Sequence, residues 1–111
     1  MEQSYHVTLG LDDCRDLIYD AVTDSVTGAL IGSHTVEGQE GRRCQVDVYE
    51  KHYYRAGNRL TLTVILDDFG AGTRVRCIGG GGGEGLFRFD WGASESFEDV
   101  VHRALAPYRI V

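Results

Sequence analysis

The first third of the chain contains two regular patterns of hydrophobic and polar residues. Residues 4–10 alternate, which predicts a strand with Tyr5, Val7 and Leu9 on one face. Hydrophobic residues then recur at spacings of three and four, which predicts an amphipathic helix that Asp12 or Asp13 caps and that ends near Gly28. Its apolar stripe consists of Cys14, Leu17, Ile18, Ala21 and Val22.

After residue 28 the period changes from 3.6 to two, which predicts a run of strands. Residues 29–37 form a weaker strand candidate, and a turn follows at residues 38–41. In residues 43–55 we expect the even positions to face the core and the odd positions to face water. The even positions begin Cys44, Val46 and Val48, and the odd ones include Gln45, Asp47, Tyr49, Lys51 and Tyr53.

Two further strands are predicted beyond a short loop at residues 56–58. The first places Leu60, Leu62, Val64 and Leu66 on its apolar face. A turn at residues 67–72 leads to the second, in which Val75 and Cys77 join the core while Arg74 and Arg76 face solvent.

The last quarter of the chain contains a glycine run, Gly79 to Gly85 with Glu84 inside it, and then an apolar stretch, residues 86–91, that can add an edge strand. A final helix follows, which Ser94 or Ser96 can cap and which Pro107 stops. Its apolar stripe consists of Phe97, Val100, Val101, Ala104 and Leu105.

These elements predict an α+β fold of order β-α-β(4–5)-α, with two helices on one face of a mainly antiparallel sheet. The order resembles the TATA-box-binding-protein-like and helix-grip arrangements, including a reduced Bet v 1 type, and is similar to small uncharacterised bacterial domains. The resemblance rests on element order alone, and such folds carry many functions. We expect a single domain over residues 1–111.

Composition narrows the classes of function. The formal net charge of −6 disfavours a nucleic-acid partner. No apolar run reaches the length of a membrane span and the N-terminus lacks a signal-peptide pattern, so we expect no membrane contact and a cytoplasmic location. The three scattered cysteines are expected to be reduced and buried. No metal-ligand spacing and no cofactor motif occurs.

The glycine run does not match a phosphate-binding loop, because no Lys followed by Ser or Thr comes after it. Three interpretations remain open. The run can be a mobile connector, a place where backbone closely approaches a strand or ligand, or an anion-binding nest.

Charge is segregated along the chain. Residues 1–41 carry eight acidic and one basic side chain, whereas residues 42–88 carry five acidic and eight basic ones. On the predicted outward face, aromatic and basic residues lie near one another and form a candidate interface. A solvated face and a single-stranded nucleic-acid site are the alternatives. The candidate interface residues are Tyr49, Lys51, Tyr53, Arg55, Arg74 and Arg76, with Arg59 beside them.

The far end of the 43–55 strand suggests a ligand site. On the face predicted to be inward, the apolar residues give way to Glu50, His52 and Tyr54, which are costly to bury without partners. They can line a pocket beneath the final helix together with Trp91, or form a strand end in water. The other interpretation of Trp91 is a core anchor or a hydrophobic staple.

No complete catalytic constellation is present, so we assign no catalytic residue and lean against an enzyme. The sequence favours a non-enzymatic interaction domain, a homodimer that associates through its sheet face or an edge strand. The alternative is a carrier or enzyme that binds a small hydrophobic ligand in the pocket of Glu50, His52, Tyr54 and Trp91.

Overall fold

The computed structural model describes residues 4–24, 27–53, 58–81 and 91–110, and for residues 53, 58 and 91–96 it describes the backbone alone. The strands are β1 (Ser4–Val7), β2 (Gly28–Glu37), β3 (Arg43–Tyr53), β4 (Asn58–Asp67) and β5 (Thr73–Gly81). The helices are α1 (Leu11–Thr23) and α2 (Trp91–Leu105), with short 3-10 turns at Gln39–Gly41 and Ala106–Tyr108.

The five strands form one antiparallel sheet in the order β1-β5-β4-β3-β2. The prediction of an α+β protein with an antiparallel sheet and two helices is therefore confirmed for the described part of the chain. Strands β2 to β5 are neighbours in sequence order, whereas β1 pairs with β5, about seventy residues later. Neither described helix combines the length and the hydrophobicity that crossing a membrane requires.

Among the described residues, one core cluster combines side chains of both helices with alternate side chains of β1, β3, β4 and β5. We call the side of the sheet that these strand residues form the covered face. Phe97, Val101 and Leu105 of α2 are almost completely buried in this core. The other members of this cluster are Tyr5, Val7, Leu11, Cys14, Ile18, Val22, Tyr49, Leu60, Leu62, Val64, Leu66, Val75 and Cys77. The prediction that alternate residues of β1, β4 and β5 enter the core is confirmed.

Helix α1 differs from its prediction at both ends. It begins at Leu11 with Gly10 as the N-cap residue, and no side chain caps it, so the predicted caps Asp12 and Asp13 instead lie in its first turn. Their carboxylates are close to the positive end of the helix dipole, which stabilises them there. The helix ends at Thr23 rather than near Gly28, because Gly28 already begins β2.

The glycine run is not a mobile connector over its first three residues. Gly79, Gly80 and Gly81 belong to β5 and pair with Leu62, Thr61 and Leu60 of β4. At Gly81, φ is +96° and a side chain would come within 2.6 Å of the Arg59 backbone carbonyl oxygen, so this position requires glycine. The observed arrangement is therefore the close backbone approach. Residues 82–90, with the rest of the run and the predicted edge strand, lie outside the described residues.

The two edges of the sheet differ. Beside β1, the chain near its end adds two backbone hydrogen bonds, from the Thr8 N–H to the Tyr108 carbonyl and from the Ile110 N–H to the His6 carbonyl, both 2.8 Å long. The Arg109 guanidinium lies 4.1 Å from the centre of the Tyr5 ring. Strand β2, ten residues long, forms the opposite edge, and most of its side chains are exposed.

Candidate functional site

Strand β3 has its two faces reversed relative to the sequence prediction. Gln45, Asp47 and Tyr49 are buried under the helices, with Tyr49 only 1% exposed. Their partners across the sheet are Leu66, Val64 and Leu62, all on the covered face. Because successive side chains of a strand alternate, Val46 and Val48 point to the opposite, open face. The predicted orientation of β3 is therefore wrong.

Because of this reversal, the residues of the predicted interface do not all lie on one face of the sheet. Tyr49 is a core residue, and Lys51 pairs with Leu60 on the covered side, so neither lies beside Arg74 and Arg76. Arg74 and Arg76 are on the open face, as expected for the strand positions that flank buried Val75. The Tyr53 side chain and Arg55 lie outside the described residues.

The predicted position of Glu50 and His52 beneath the final helix is also wrong. Glu50 and His52 lie on the open face, away from α2, where one Glu50 oxygen is 3.8 Å from His52 Nε2 and the other 3.8 Å from an Arg59 nitrogen. Phe97, Val101 and Leu105 fill the space between α2 and the described sheet. Tyr54 is outside the described residues. Trp91 is the first residue of α2, and its side chain is also outside them.

A buried polar cluster explains why polar residues of β3 face the helices. Arg15 of α1 contacts both oxygens of Asp47, with Nε to Oδ2 at 2.7 Å and Nη2 to Oδ1 at 3.1 Å. Ser33 and Gln45 donate further hydrogen bonds to Oδ1 at 2.8 and 2.9 Å. Thr35 donates to the Gln45 side-chain oxygen at 2.5 Å. The two buried polar side chains of the cluster, Asp47 and Gln45, thus both have hydrogen-bonding partners, as a low-dielectric interior requires.

The cluster also sets the charge state of Asp47. Burial raises the pKa of this carboxyl group, but the hydrogen bonds from Arg15, Gln45 and Ser33 outweigh burial and hold the pKa below its usual value. Asp47 is therefore ionised at neutral pH and acts only as an acceptor. Because the Arg15 guanidinium satisfies it in a bidentate pair, the cluster joins α1 to β2 and β3 rather than activating a reactant.

The open face carries five apolar side chains, Val36, Val46, Val48, Ile65 and Ile78, which we define as the apolar patch. Val46 lies directly opposite Ile65, and Thr63 links Val48 on one side to Ile78 on the other. Val36 is 48% exposed and Ile78 40% exposed. The sequence analysis missed this patch because it assigned Val46 and Val48 to the core. A signal was present, since Ile65 interrupts the otherwise polar wet face of β4.

Charged groups flank the apolar patch at both ends of the sheet. Next to β1, Nε of Arg74 donates to Oδ2 of Asp67 at 2.8 Å, and Arg76 follows on the same face. At the other end lies the group of Glu50, His52 and Arg59. Among the described residues of the open face, three arginines and two acidic residues give a formal charge of +1, histidines taken as neutral.

The three cysteines divide between the core and the open face. Cys14 and Cys77 are buried, and burial raises the pKa of each thiol to about 12. Cys44 pairs with Val36 and Asp67 at the margin of the apolar patch, and is half-buried. All three are free. In the described ranges, no group of three or more His, Cys, Asp or Glu side chains is placed to hold a metal ion.

Comparison with known proteins gives a family without an activity. The model of DUF6054, a family of unknown function, matches residues 3–109, almost the whole sequence. No curated protein and no solved structure matches significantly. The function must therefore be argued from the open face itself.

Proposed function

Because the chain belongs to DUF6054, a family of unknown function, we propose its function from the geometry of the sheet: it is a non-enzymatic interaction domain that forms a homodimer by packing two open faces together. The observation that carries this proposal is the orientation of β3, which turns Val46 and Val48 away from the core. Both side chains are only half-buried in the monomer, so part of the about 1.5–3 kcal/mol that full burial of such a side chain contributes is not realised there. Contact with a second sheet recovers part of this free energy.

The distribution of charge favours a second copy as the occupant. Each molecule has a formal net charge of −6, and a cluster of acidic side chains lies on α1, whereas the described open face carries +1. Packing the two open faces together leaves the acidic helices on the outside of the dimer. Repulsion between the copies is then at its weakest, because these charges are far apart and screened.

The size of the open face is sufficient for a specific contact. Four strands spaced about 4.8 Å apart, each contributing about eight residues that rise about 3.3 Å, present about 500 Å² per copy. Two copies then bury about 1,000 Å², which is the lower limit for a specific interface. A weak dimer that forms at micromolar concentrations is the expected result.

The test compares single substitutions by sedimentation equilibrium. Wild-type protein is expected to be dimeric at tens of micromolar, and Val48→Glu is expected to be monomeric because it places a charge at the centre of the apolar patch. Tyr19→Glu is the matched control. Tyr19 is 45% exposed on α1, so this variant adds the same charge to an exposed apolar residue away from the open face.

Three outcomes contradict the proposal. The first is a monomeric wild type at hundreds of micromolar, and the second is equal dissociation by Tyr19→Glu and Val48→Glu. The third is a dimer that survives Val48→Glu, which would indicate a contact away from the open face, such as edge-to-edge pairing through β2.

Three further expectations accompany this function. We propose that residues 1–111 form one domain, which the shared core of helices and strands supports. A cytoplasmic location is supported by the three free thiols. The likeness to TATA-box-binding-protein-like and helix-grip arrangements remains a prediction from element order.

A further inference from the structure

The outer edge of β2 is regular and exposed along its second half. Every residue from 33 to 37 is exposed, and among the described residues no strand pairs with this side of β2. The irregularity in its pairing with β3 lies between Leu30 and Gly32, so residues 32–37 keep an unbroken register. The strand contains neither proline nor lysine, which commonly protect a sheet edge. About 20 Å of strand is therefore open to a further strand.

Three residues of this edge direct their backbone groups outward, in the plane of the sheet. The Gly38 N–H donates to the Arg42 carbonyl at 2.7 Å, which fixes the hydrogen-bonding pattern between β2 and β3. In an antiparallel pair, positions bonded to the partner strand alternate with positions whose N–H and C=O groups point away from it. Counting back from Gly38, the outward positions are Ser33, Thr35 and Glu37. A segment that pairs with them gains main-chain hydrogen bonds.

Helix α1 lies beside this edge on the covered side. Arg15 Nη2 donates to the Ser33 hydroxyl at 3.0 Å, and the same guanidinium is paired with Asp47. At the first residue of β3, Arg43 is paired with Asp12 of α1 at 3.1 Å. These two arginines therefore already have acidic partners.

Two more acidic side chains lie beside these ion pairs. Asp16 is four residues after Asp12, so both lie on the same flank of α1. Glu37 is opposite Arg43 in the strand register. Asp16 and Glu37 are both exposed, and with the two ion pairs they make four acidic and two basic side chains, a formal charge of −2. We therefore expect this edge to favour positively charged side chains.

The charges favour a basic partner over a second copy. Residues 1–41, which contain α1 and β2, carry eight acidic side chains and one basic one. Antiparallel pairing of two β2 edges would bring two such acidic segments together, and like charges repel. A basic segment has the opposite charge, so its cations are attracted to Asp16 and Glu37.

From these observations we propose that residues 32–37 bind an extended basic segment of another protein, which pairs antiparallel with β2 as a sixth strand. Its basic side chains occupy alternate positions opposite Ser33, Thr35 and Glu37, on the side of α1, because residues directly opposite in a sheet share a face. The backbone groups that bind it point along the sheet, whereas the proposed dimer packs the open faces together. Both contacts can form in the same molecule.

The probe is a blocked hexapeptide of three Lys-Val repeats, in which valine favours the extended conformation. Amide hydrogen exchange of the protein is followed by NMR with and without the peptide. We expect slower exchange at Ser33, Thr35 and Glu37 when the peptide is present. The Thr8 and Ile110 amides are the internal control, because they already donate to carbonyls beside β1. Their exchange should not change.

Variants of the peptide separate backbone pairing from charge. In the antiparallel register the lysine N–H groups face β2 and the valine N–H groups face away. N-methylation of the lysines should therefore weaken binding at least about tenfold, whereas N-methylation of the valines, the matched control, should change it less than about threefold. A Glu-Val peptide should bind at least about tenfold more weakly than the Lys-Val peptide.

Variants of the protein test the charged side chains. Asp16→Asn should weaken binding of the Lys-Val peptide about two- to fivefold, the range for an exposed ion pair. Asp99→Asn is the matched control, because Asp99 is exposed on α2, which packs over β4 and β5. Its effect should be less than about 1.5-fold.

Several results would overturn the proposal. They are unchanged exchange of the three outward amides at millimolar peptide, equal binding of the two N-methylated peptides, equal binding of the Glu-Val peptide, and equal effects of Asp16→Asn and Asp99→Asn. Protection of the same amides that rises with protein concentration in the absence of peptide would assign the edge to a second copy instead.

The titration is repeated with Val48→Glu, which removes the proposed dimer. Unchanged peptide binding by this variant supports a docking edge that works whether or not wild type dimerises. Loss of binding in this variant would contradict a contact separate from the open face. Failure of the dimer and failure of the docking edge are thus distinguished.

Discussion

The covered face of the sheet buries polar side chains, whereas the open face leaves apolar side chains uncovered. On the covered face, Asp47 and Gln45 are buried, and they form hydrogen bonds with each other, with Arg15 of α1 and with Ser33 and Thr35 of β2. On the open face, Val46 and Val48 come from the same strand yet lack a covering layer among the described residues. The polarity of a strand position therefore does not decide which face is covered. The availability of partners on the neighbouring elements decides it.

The comparison between the faces is sharpest for the cysteines. Cys44 is expected to react with an alkylating reagent in the folded protein, whereas Cys14 and Cys77 should react only after unfolding. Because global opening costs about 5 kcal/mol or more, their rates should be lower by a factor of about a thousand or more. Mass spectrometry of timed samples measures each site. Comparable rates for Cys44 and Cys14 would contradict the assignment of faces.

Adjacent residues of β3 provide the next largest difference. Tyr49→Ala removes a buried aromatic ring and should lower the free energy of unfolding by about 3–5 kcal/mol. Val48→Ala, its neighbour on the open face, should cost about 1 kcal/mol or less in the monomer. Urea denaturation at low protein concentration measures both. The reversed orientation of β3 would be wrong if the Val48 variant were the less stable of the two.

The buried polar cluster should give an intermediate effect. Asp47→Asn removes the charge that Arg15, Ser33 and Gln45 bind, and should lower the free energy of unfolding by about 1–3 kcal/mol. The expected loss of stability is modest because the Arg15 side chain is itself 36% exposed and can be hydrated when Asp47 is replaced. Glu50→Gln is the matched control on the open face, with an expected loss below about 0.5 kcal/mol. Equal losses would indicate that the cluster contributes no more to stability than the exposed Glu50 does.

The smallest expected effect is a pH dependence of the difference in unfolding free energy between wild type and Asp47→Asn. The pKa of Asp47 is lowered by folding, so its contribution to stability is fully present above the unfolded pKa of about 3.9 and is lost as pH falls through the lower folded pKa. The gap in unfolding free energy between wild type and Asp47→Asn should thus be constant near neutrality and narrow in acid. Urea titrations across that range measure it. A gap that widened in acid would reverse the sign.

Period-two alternation was enough to predict most of the sheet. It gave the strands and the buried sides of β1, β4 and β5, because leucine and valine there have no polar competitors for the core. It failed for β3, because alternation defines two faces without saying which one is covered. Gln45 and Asp47 look like surface residues until Arg15, thirty-two residues away from Asp47, is placed beside them. Nothing local to β3 carries that information.

The candidate sites were harder to predict for the same reason. Glu50 and His52 changed faces with β3, so the pocket assigned to them was lost, while Arg74 and Arg76 kept their face because their strand was read correctly. The glycine run was misjudged because a conformational penalty counts against glycine only where no close contact needs it. Gly81, with a φ of +96° and the Arg59 carbonyl oxygen within 2.6 Å of where a side chain would begin, is such a contact.

The pairing of β1 with β5 has a consequence for how the protein forms during its synthesis. Ser4–Val7 leave the ribosome well before their partner strand, which begins only at Thr73. Their other edge waits still longer, for Tyr108 and Ile110. The nascent chain therefore carries β1 without its partner until β5 has been made, and chaperones that bind extended apolar segments have that interval in which to act.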